Sequence, residues 1–268
     1  MRVVPSATLY RDNTFATFSV RQQLSDDTDD ASRRVELCQR ELRLFGARTD
    51  GRVLDLMCGV GNYVAAYAAE GRPWSSYLGI DVCPAAIDVA RRRFGANGAR
   101  FSCVDVTAAT NNAPECDTVL LTYEAVNNLG LDDTRTVLRW AAGGLAADGR
   151  ILVDACLRQA NRSGREATLI ADGQVAPVGE ARGVAVQTTV LTSSADEDVI
   201  EHHVHWLGRH TCLYHVGYRM WQPSVLRIRS VFGEAGLSVL DARQVHHAAA
   251  TEKASVRSSW QFVLGHLG

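Results

Sequence analysis

A glycine-rich turn follows a short apolar run in the first quarter of the chain. The run 53–57 is apolar apart from Asp55, and the turn after it contains Cys58, Gly59 and Gly61. Glycine permits a tight backbone and lets a ligand approach closely. The free N–H groups at the start of the helix predicted next favour polar or negatively charged ligand groups. The turn is therefore a candidate site for a nucleotide-type ligand.

Two further acidic residues stand at the ends of predicted strands. Asp81 lies about 20 residues beyond the glycine turn, the distance at which an acidic residue binds ribose in dinucleotide sites, and Asp105 ends the next strand. A carboxylate at Asp81 can accept hydrogen bonds from both ribose hydroxyls, and Asp105 can accept one from an exocyclic adenine amine. Val82 and Val106 follow directly and could sandwich a flat base. Together these residues predict a site for an adenine nucleoside.

The elements that must position these residues alternate between strand and helix. Five strands separated by helical or loop segments are predicted up to residue 155, which indicates right-handed crossovers and a parallel sheet. Carboxyl ends of parallel strands share one edge, where ligands bind near the topological switch point. Beyond residue 166 the helical period disappears until residue 224, and the turns there predict an antiparallel insertion. A last helix and two strands complete the expected sheet.

The order of these motifs resembles that of class I S-adenosylmethionine-dependent methyltransferases. The resemblance rests on DLMCGVG, GIDVCPAAIDVAR, CVDVT, DTVLLTYEAVNNLG and LAADGRILVD, which together span Val53 to Asp154. It implies a Rossmann-like, seven-stranded, mostly parallel sheet with helices on both faces and an antiparallel β insertion after strand five. It also implies S-adenosylmethionine as cofactor, with Gly59 and Gly61 beside its methionine part, Asp81 on ribose and Asp105 on adenine.

Two alternatives to a methyltransferase stay open at this point. A nicotinamide cofactor would use the same Asp81, but the third glycine of G-x-G-x-x-G is replaced by Val64. No Tyr-x-x-x-Lys pair for hydride transfer is apparent either. The other alternative is a related fold that binds the cofactor without methyl transfer, such as a cyclase or a binding module.

Residues after the fourth strand are candidates for the acceptor side of the site. Tyr123 is expected to contact both cofactor and acceptor and to take part in catalysis, and Glu124 and Asn127 are expected to contact the acceptor. Methyl transfer needs the acceptor in line with the S–CH₃ bond, and a general base helps when the acceptor must lose a proton. An ordinary capped loop is the other interpretation of this segment.

The insertion is rich in histidine. Alternation in a strand places Glu201, His203 and His205 on one face and His202, Val204 and Trp206 on the other. The first face is interpreted as a solvated surface, as a pocket with a His203 or His205 base, or as a metal site. No metal ligand is assigned. Tyr214, Tyr218 and Arg219 on the following strand are candidate substrate contacts.

Composition restricts the remaining possibilities. The chain has 268 residues and a hydrophobic content of 46%, which predicts a globular protein. Its net charge of −2 argues against electrostatic binding of nucleic acid. Seven cysteines form no C-x-x-C pair, and no signal peptide or transmembrane run is apparent, so a reduced, cytoplasmic setting is expected. We expect a small-molecule acceptor and no nucleic-acid or membrane partner, with a homodimer left open.

Three regions are predicted along the chain. Residues 1–46 form an N-terminal cap and helix, residues 47–157 and 223–268 form the cofactor-binding core, and residues 158–222 form a substrate-covering insertion. The acidic run 26–30 is expected to cap the helix that shows an apolar stripe from Val35 to Phe45. A metal site is the alternative interpretation of that run.

Overall fold

A computed structural model describes residues 3–25, 32–46, 51–71, 74–158, 164–175, 182–194, 197–207, 212–247 and 257–267. Eleven strands lie in these ranges: β1 Arg52–Leu56, β2 Ser76–Asp81, β3 Ala99–Cys103, β4 Cys116–Leu121, β5 Leu145–Ala155, β6 Gly164–Val175, β7 Arg182–Ser193, β8 Glu197–Leu207, β9 Cys212–Pro223, β10 Leu237–His247 and β11 Arg257–His266. The α-helices in the same ranges are α1 Ser6–Arg11, α2 Asn13–Gln23, α3 Val35–Phe45, α4 Asn62–Ala69, α5 Pro84–Phe94, α6 Ala125–Leu129, α7 Leu131–Ala142 and α8 Val225–Glu234.

Seven strands form the central sheet in the order β10-β11-β5-β4-β1-β2-β3. The pairs β1–β2, β1–β4, β2–β3 and β4–β5 are parallel, whereas β11 is antiparallel to both β5 and β10. The expected mostly parallel, seven-stranded fold is therefore confirmed. Because β1 to β4 run in one direction, the glycine turn, Asp81, Asp105 and Tyr123 all lie at one edge.

Helices cover both faces of this sheet, as expected. One core contains buried side chains of α3, α4 and α5, including Leu42, Val64 and Ile87. The other contains side chains of α7 and α8 together with Phe262 of β11, against which Phe232 packs with ring centroids 5.2 Å apart. Burying an aromatic or aliphatic side chain contributes roughly 1.5–3 kcal/mol, so these two layers hold the strand ends in register.

The insertion forms a second sheet, an antiparallel meander in the order β6-β7-β8-β9 between β5 and α8. Its β8 buries Ile200, Val204 and Trp206 on one face, which is the alternation that the sequence predicts. The second sheet spans residues 164–223, and domain boundaries near residues 157 and 223 stay a proposal. The acidic run 26–30 lies outside the described residues.

The N-terminal segment folds into two helices that the sequence pattern does not reveal. α1 has only six residues, and α2 begins after Asp12, whose carboxylate accepts hydrogen bonds from the backbone N–H groups of Thr14 and Phe15. Short helices lack a readable apolar period, whereas the Asp12 cap was a readable signal. The two helices pack on the second sheet through Leu9, Phe15 and Phe18, which contact Val204, Trp206 and Val216.

Some boundaries differ from the predicted ones. The sequence pattern predicts one helix from Asp132 to Ala146, but α7 ends at Ala142, because Gly143 and Gly144 follow and β5 begins at Leu145. Of the helices within the described ranges, none is both long and apolar enough to cross a membrane.

Candidate active site

A cavity of about 400 Å³ lies over the carboxyl ends of β1, β2, β3 and β4. Its floor contains the glycine turn and the strand-end acids, and α1 and α2 supply its roof through side chains such as Tyr10 and Gln23. Ligand pockets commonly enclose about 300–1,000 Å³. Apart from Gly61, the residues predicted to bind the nucleotide-type ligand all line this cavity.

The glycine turn adopts the left-handed backbone that favours glycine. Gly59 has φ 54° and Gly61 has φ 83°, and Gly61 directly precedes the first residue of α4. Met57, also in the cavity wall, has φ 59°, a conformation that costs a non-glycine residue about 1–2 kcal/mol. Such outliers cluster at ligand sites, which fits the predicted role of the turn.

Asp55 lies in the cavity wall but is buried inside β1. The Tyr77 hydroxyl donates to its Oδ2 at 2.6 Å. Burial raises the pKa of Asp55 to about 7, an effect that the Tyr77 hydrogen bond opposes and nearby Asp81 increases. Cys58 is also buried, with its sulfur close to Gly79, where a Cβ would lie 2.8 Å from it. Both residues shape the turn from below.

Asp81 fixes the turn and faces the cavity. Its Oδ2 accepts the Gly59 N–H and its Oδ1 accepts the Cys83 N–H, both at 2.8 Å. Desolvation raises the pKa of Asp81, and these backbone hydrogen bonds oppose that rise. Each carboxylate oxygen still has a lone pair, so the group could bind two ribose hydroxyls. Val82 lines the cavity next to it.

Asp105 stands across the cavity from the glycine turn. Its Oδ1 accepts hydrogen bonds from the Thr107 N–H at 3.1 Å and the Thr107 hydroxyl at 2.7 Å, and Arg11 of α1 pairs with its Oδ2 at 3.2 Å. Val106 is buried and also lines the cavity. Asp105 could therefore accept a hydrogen bond from an adenine amine, but its Oδ2 is already paired with Arg11 of the roof.

The roof contributes site residues that the sequence analysis missed. Gln23 Oε1 accepts the Val60 N–H of the glycine turn at 3.1 Å. Tyr10 lines the cavity, and its pKa is raised by burial and by the neighbouring Tyr218 and Asp81. The aromatic residues in the first 25 positions were the available signal, but their lack of a period left their partners undetermined.

The turn after β4 forms another part of the cavity wall. Thr122 and Tyr123 line the cavity, and both Tyr123 (φ 56°) and Glu124 (φ 55°) have left-handed backbone. The guanidinium carbon of buried Arg33 lies 5.4 Å from the centroid of the Tyr123 ring. The Glu124 side chain does not line the cavity. Tyr123 is therefore the member of this predicted group that the structure brings to the site.

Asn127 lies in the protein interior, outside the cavity wall. It is fully buried, and its amide donates to the carbonyls of Cys156 and Trp221 and accepts the Cys156 N–H at 2.9 Å. These bonds tie α6 to the end of β5 and to β9, and Asn127 is not in the cavity wall. This position does not support the acceptor contact expected for Asn127; the neighbouring Asn128 lines the cavity instead.

His203 and His205 lie on the sheet face that does not pack on the N-terminal helices. Their rings group with His215, at centroid distances of 5.9 Å and 4.5 Å, and neither lines the cavity. A catalytic role for these two histidines is therefore not supported by their position. Alternation separates the two faces correctly, but only tertiary packing decides which face meets the helices.

Among the described residues, no group of three histidine, cysteine or carboxylate side chains is arranged to hold a metal ion.

The predicted substrate contacts on β9 are also placed by this packing. Tyr214 packs on Trp206 at 5.7 Å between ring centroids, Tyr218 packs on His202 at 5.1 Å, and Arg219 pairs with Glu201. None of the three lines the cavity. Within the described part of the second sheet, Trp221 is the residue that reaches the cavity wall, and sequence analysis had not selected it as a site residue.

Comparison with known proteins agrees with this geometry. Residues 53–149, which contain the glycine turn and the strand-end acids, match the family model described as a methyltransferase domain. Over these residues the chain is similar to methyltransferase domains. A methyltransferase domain needs a methyl donor, so this match favours S-adenosylmethionine over the nicotinamide alternative.

Solved structures of two methyltransferases share the fold of the whole chain. The CcbJ methyltransferase from Streptomyces caelestis is 16% identical, with a TM-score of 0.68 over 98% of this chain and 99% of that one. The S-adenosylmethionine-bound amino pentose methyltransferase CalS10 from Micromonospora echinaspora, involved in calicheamicin biosynthesis, is 17% identical, with a TM-score of 0.57 over 94% and 96%. At these identities the likeness extends to the fold.

A curated relative is more similar in sequence over a shorter stretch. The 23S rRNA (uracil(1939)-C(5))-methyltransferase RlmD of Verminephrobacter eiseniae (strain EF01-2) is 30% identical over 166 residues, which make up 62% of this chain. The match spans only 33% of that relative's length.

Proposed function

We propose that the protein transfers the methyl group of S-adenosylmethionine to a nitrogen or oxygen of a small-molecule acceptor. The observation that carries this proposal is the roofed cavity, which continues from Asp81 and Asp105 past Tyr123 to Trp221. An acceptor must enter that space to meet the methyl group, and a small molecule can do so without the unstacking that a nucleic-acid base requires. The net charge of −2 also argues against RNA.

The proposed cofactor position follows from the polar groups in the wall. Asp81 would hold the ribose, Asp105 and Val106 would hold the adenine, and the turn of Gly59 and Gly61 would lie beside the methionine part. The bound cofactor would supply an electrophilic methyl group, and Tyr123 lines the same cavity. In-line positioning can supply up to ~7–11 kcal/mol of the barrier, so the protein's main task is to hold the acceptor between Tyr123 and the roof.

A second depression supports an entry route for the acceptor. It shares Leu129, Asp133 and Trp221 with the cavity wall and opens beside Glu197 and Arg227. The Tyr123 hydroxyl is the candidate group for orienting an acceptor or, as the phenolate, for receiving its proton. An amine acceptor that enters uncharged needs only positioning for the transfer itself, whereas a hydroxyl acceptor also needs a base.

One structural neighbour supports a role in specialised metabolism, because CalS10 is an amino pentose methyltransferase involved in calicheamicin biosynthesis. An amino sugar is therefore the first acceptor class to test. The alternative is that the domain binds the cofactor without methyl transfer.

The test uses methyl-labelled S-adenosylmethionine and the purified protein with three acceptor panels: amino sugars and their nucleotide conjugates, hydroxylated small molecules, and ribosomal RNA. Mass spectrometry should find the label on a member of the first or second panel. Replacement of Tyr123 by Phe keeps the ring and removes the hydroxyl, and should slow transfer to a hydroxyl acceptor more than to an amine. Label only in RNA would contradict the proposal, and tight binding of S-adenosylhomocysteine with no transfer to any panel would favour the alternative.

A further inference from the structure

Two consecutive residues with left-handed backbone form the turn at the acceptor end of the cavity. Tyr123 and Glu124 have φ 56° and 55°, and neither is glycine. Such a conformation costs free energy at each residue and persists only where the surroundings enforce it. Something in the fold must therefore hold this turn.

Asp154, near the end of β5, holds the turn from below. It is 1% exposed, and its Oδ1 accepts the backbone N–H of Glu124. Its Oδ2 pairs with the guanidinium of Arg33. A charged acceptor binds an N–H more strongly than a neutral one. The Asp154 carboxylate therefore stabilises the backbone at Tyr123 and Glu124, the two residues with left-handed conformation.

Arg33 holds the same turn from the side. It is 3% exposed, it pairs with Glu41 at 3.0 Å as well as with Asp154, and its flat guanidinium lies over the Tyr123 ring. The guanidinium is planar and forked. It can therefore satisfy two carboxylates in its plane while its face packs on an aromatic ring.

The same cluster reaches the cofactor side of the site. The Tyr63 hydroxyl donates to Glu41 Oε2, and Gln261 of β11 donates to Glu41 Oε1 at 3.0 Å. Tyr63 is the second residue of α4, directly after the glycine turn, and it lines the cavity. One buried cluster thus connects the glycine turn with the turn after β4.

We propose that Arg33 and Asp154 are positioning residues that hold the Tyr123 turn against the reacting methyl group. Burying one cation with two carboxylates carries a large desolvation cost, and apolar side chains would often fill such a volume at least as stably. What apolar side chains would not supply is an acceptor for the Glu124 N–H and a flat cation on the Tyr123 ring. The proposal rests on the proposed function, since it assigns the turn to the acceptor side.

The test compares an ion pair at the active-site end of the sheet with one at the opposite end. Asp154→Asn keeps a side-chain oxygen for the Glu124 N–H but removes the charge that pairs with Arg33. Asp117→Asn is the matched control, because Asp117 is the second residue of β4, at the opposite end of the strand, and accepts hydrogen bonds from Arg52. Arg33→Lys keeps the positive charge and loses the flat fork, and it replaces Asp154→Asn if that variant does not fold.

Two readouts separate positioning from a general loss of stability. In hydrogen-exchange mass spectrometry, Asp154→Asn and Arg33→Lys should exchange at least tenfold faster in the peptide covering residues 122–126, with no change in the peptide covering residues 53–61. In turnover with an acceptor found by the screen above, kcat should fall at least tenfold while KM for S-adenosylmethionine changes less than threefold. Asp117→Asn should change neither readout.

Unchanged exchange at residues 122–126 in both variants would overturn the proposal, as would equal loss of kcat in the Asp117→Asn control. If the wild-type protein methylates no acceptor, the proposed function fails while the exchange readout still decides whether the cluster holds the turn.

Discussion

Replacement of Asp81 by Asn is the single substitution that tests the proposed cofactor site best. Both of its oxygens accept backbone N–H groups at 2.8 Å, one from Gly59 and one from Cys83. Replacement by Asn leaves one oxygen, so one of the two N–H groups faces the new amide nitrogen instead. Loss of a hydrogen bond to a charged group costs about 1.5–3 kcal/mol, which corresponds to roughly 10- to 150-fold in an equilibrium constant.

Only the part of this cost that appears on binding changes the affinity. The turn of the free protein also loses a hydrogen bond, so some of the effect lowers the free energy of unfolding instead. We therefore expect Asp81→Asn to raise the Kd for S-adenosylhomocysteine about 10- to 100-fold in calorimetric titration, together with a modest fall in Tm.

Asp88→Asn on α5 is the matched control. Its carboxylate is 61% exposed and lies 3.7 Å from Arg91, an arrangement that contributes little to stability. The control should bind S-adenosylhomocysteine like the wild type. A Kd within threefold of wild type for a folded Asp81→Asn protein would refute the assignment of Asp81 to the cofactor.

Three further predictions concern the turn, the buried cluster and the roof. Gly59→Ala should reduce S-adenosylhomocysteine affinity at least tenfold in the same titration, because φ 54° is unfavourable for alanine and the added Cβ would displace Gln23; wild-type affinity would contradict this. Burial raises the pKa of Glu41 from 4.5 to about 7, so its contribution to stability is present below pH 4.5 and is lost as the pH rises through 7. The wild-type free energy of unfolding, measured in urea, should therefore fall between pH 5 and 8 more steeply than that of Glu41→Gln, and equal slopes would argue against the assignment. Phe18→Ala should raise the Kd for S-adenosylhomocysteine several-fold and lower the Tm, because Phe18 packs on Trp206 at 5.3 Å and anchors the roof; an unchanged Kd would show that the roof does not depend on this contact.

The strand ends of the core could be predicted because several independent patterns agree there. Apolar runs mark the strands, glycines mark the first turn, and the acids at Asp81 and Asp105 follow at strand ends. The parallel topology then brings separate segments to one edge. These features depend on local sequence and on a general rule of sheet architecture.

The roof and the acceptor side could not be predicted in the same way. Arg11 and Gln23 meet the core through contacts across about 40 to 90 positions in sequence, and no local pattern encodes such partners. Asn127 illustrates the opposite error: a polar residue after a strand can be fully used by backbone groups of two other elements.

The histidines of β8 show where alternation stops being informative. The pattern separates His203 and His205 from Val204 and Trp206, and the structure has the same two faces. Which face packs on the N-terminal helices depends on how the second sheet docks. Apolar burial was the better guide, since Val204 and Trp206 lie on the docked face.

A crystal structure of the protein with S-adenosylhomocysteine would show directly whether the cofactor occupies the cavity over the strand ends. We expect the ribose hydroxyls within hydrogen-bond distance of Asp81, the adenine beside Asp105 and Val106, and the sulfur facing Tyr123. An adenosine bound away from Asp81, or a sulfur facing away from Tyr123, would contradict the proposed site.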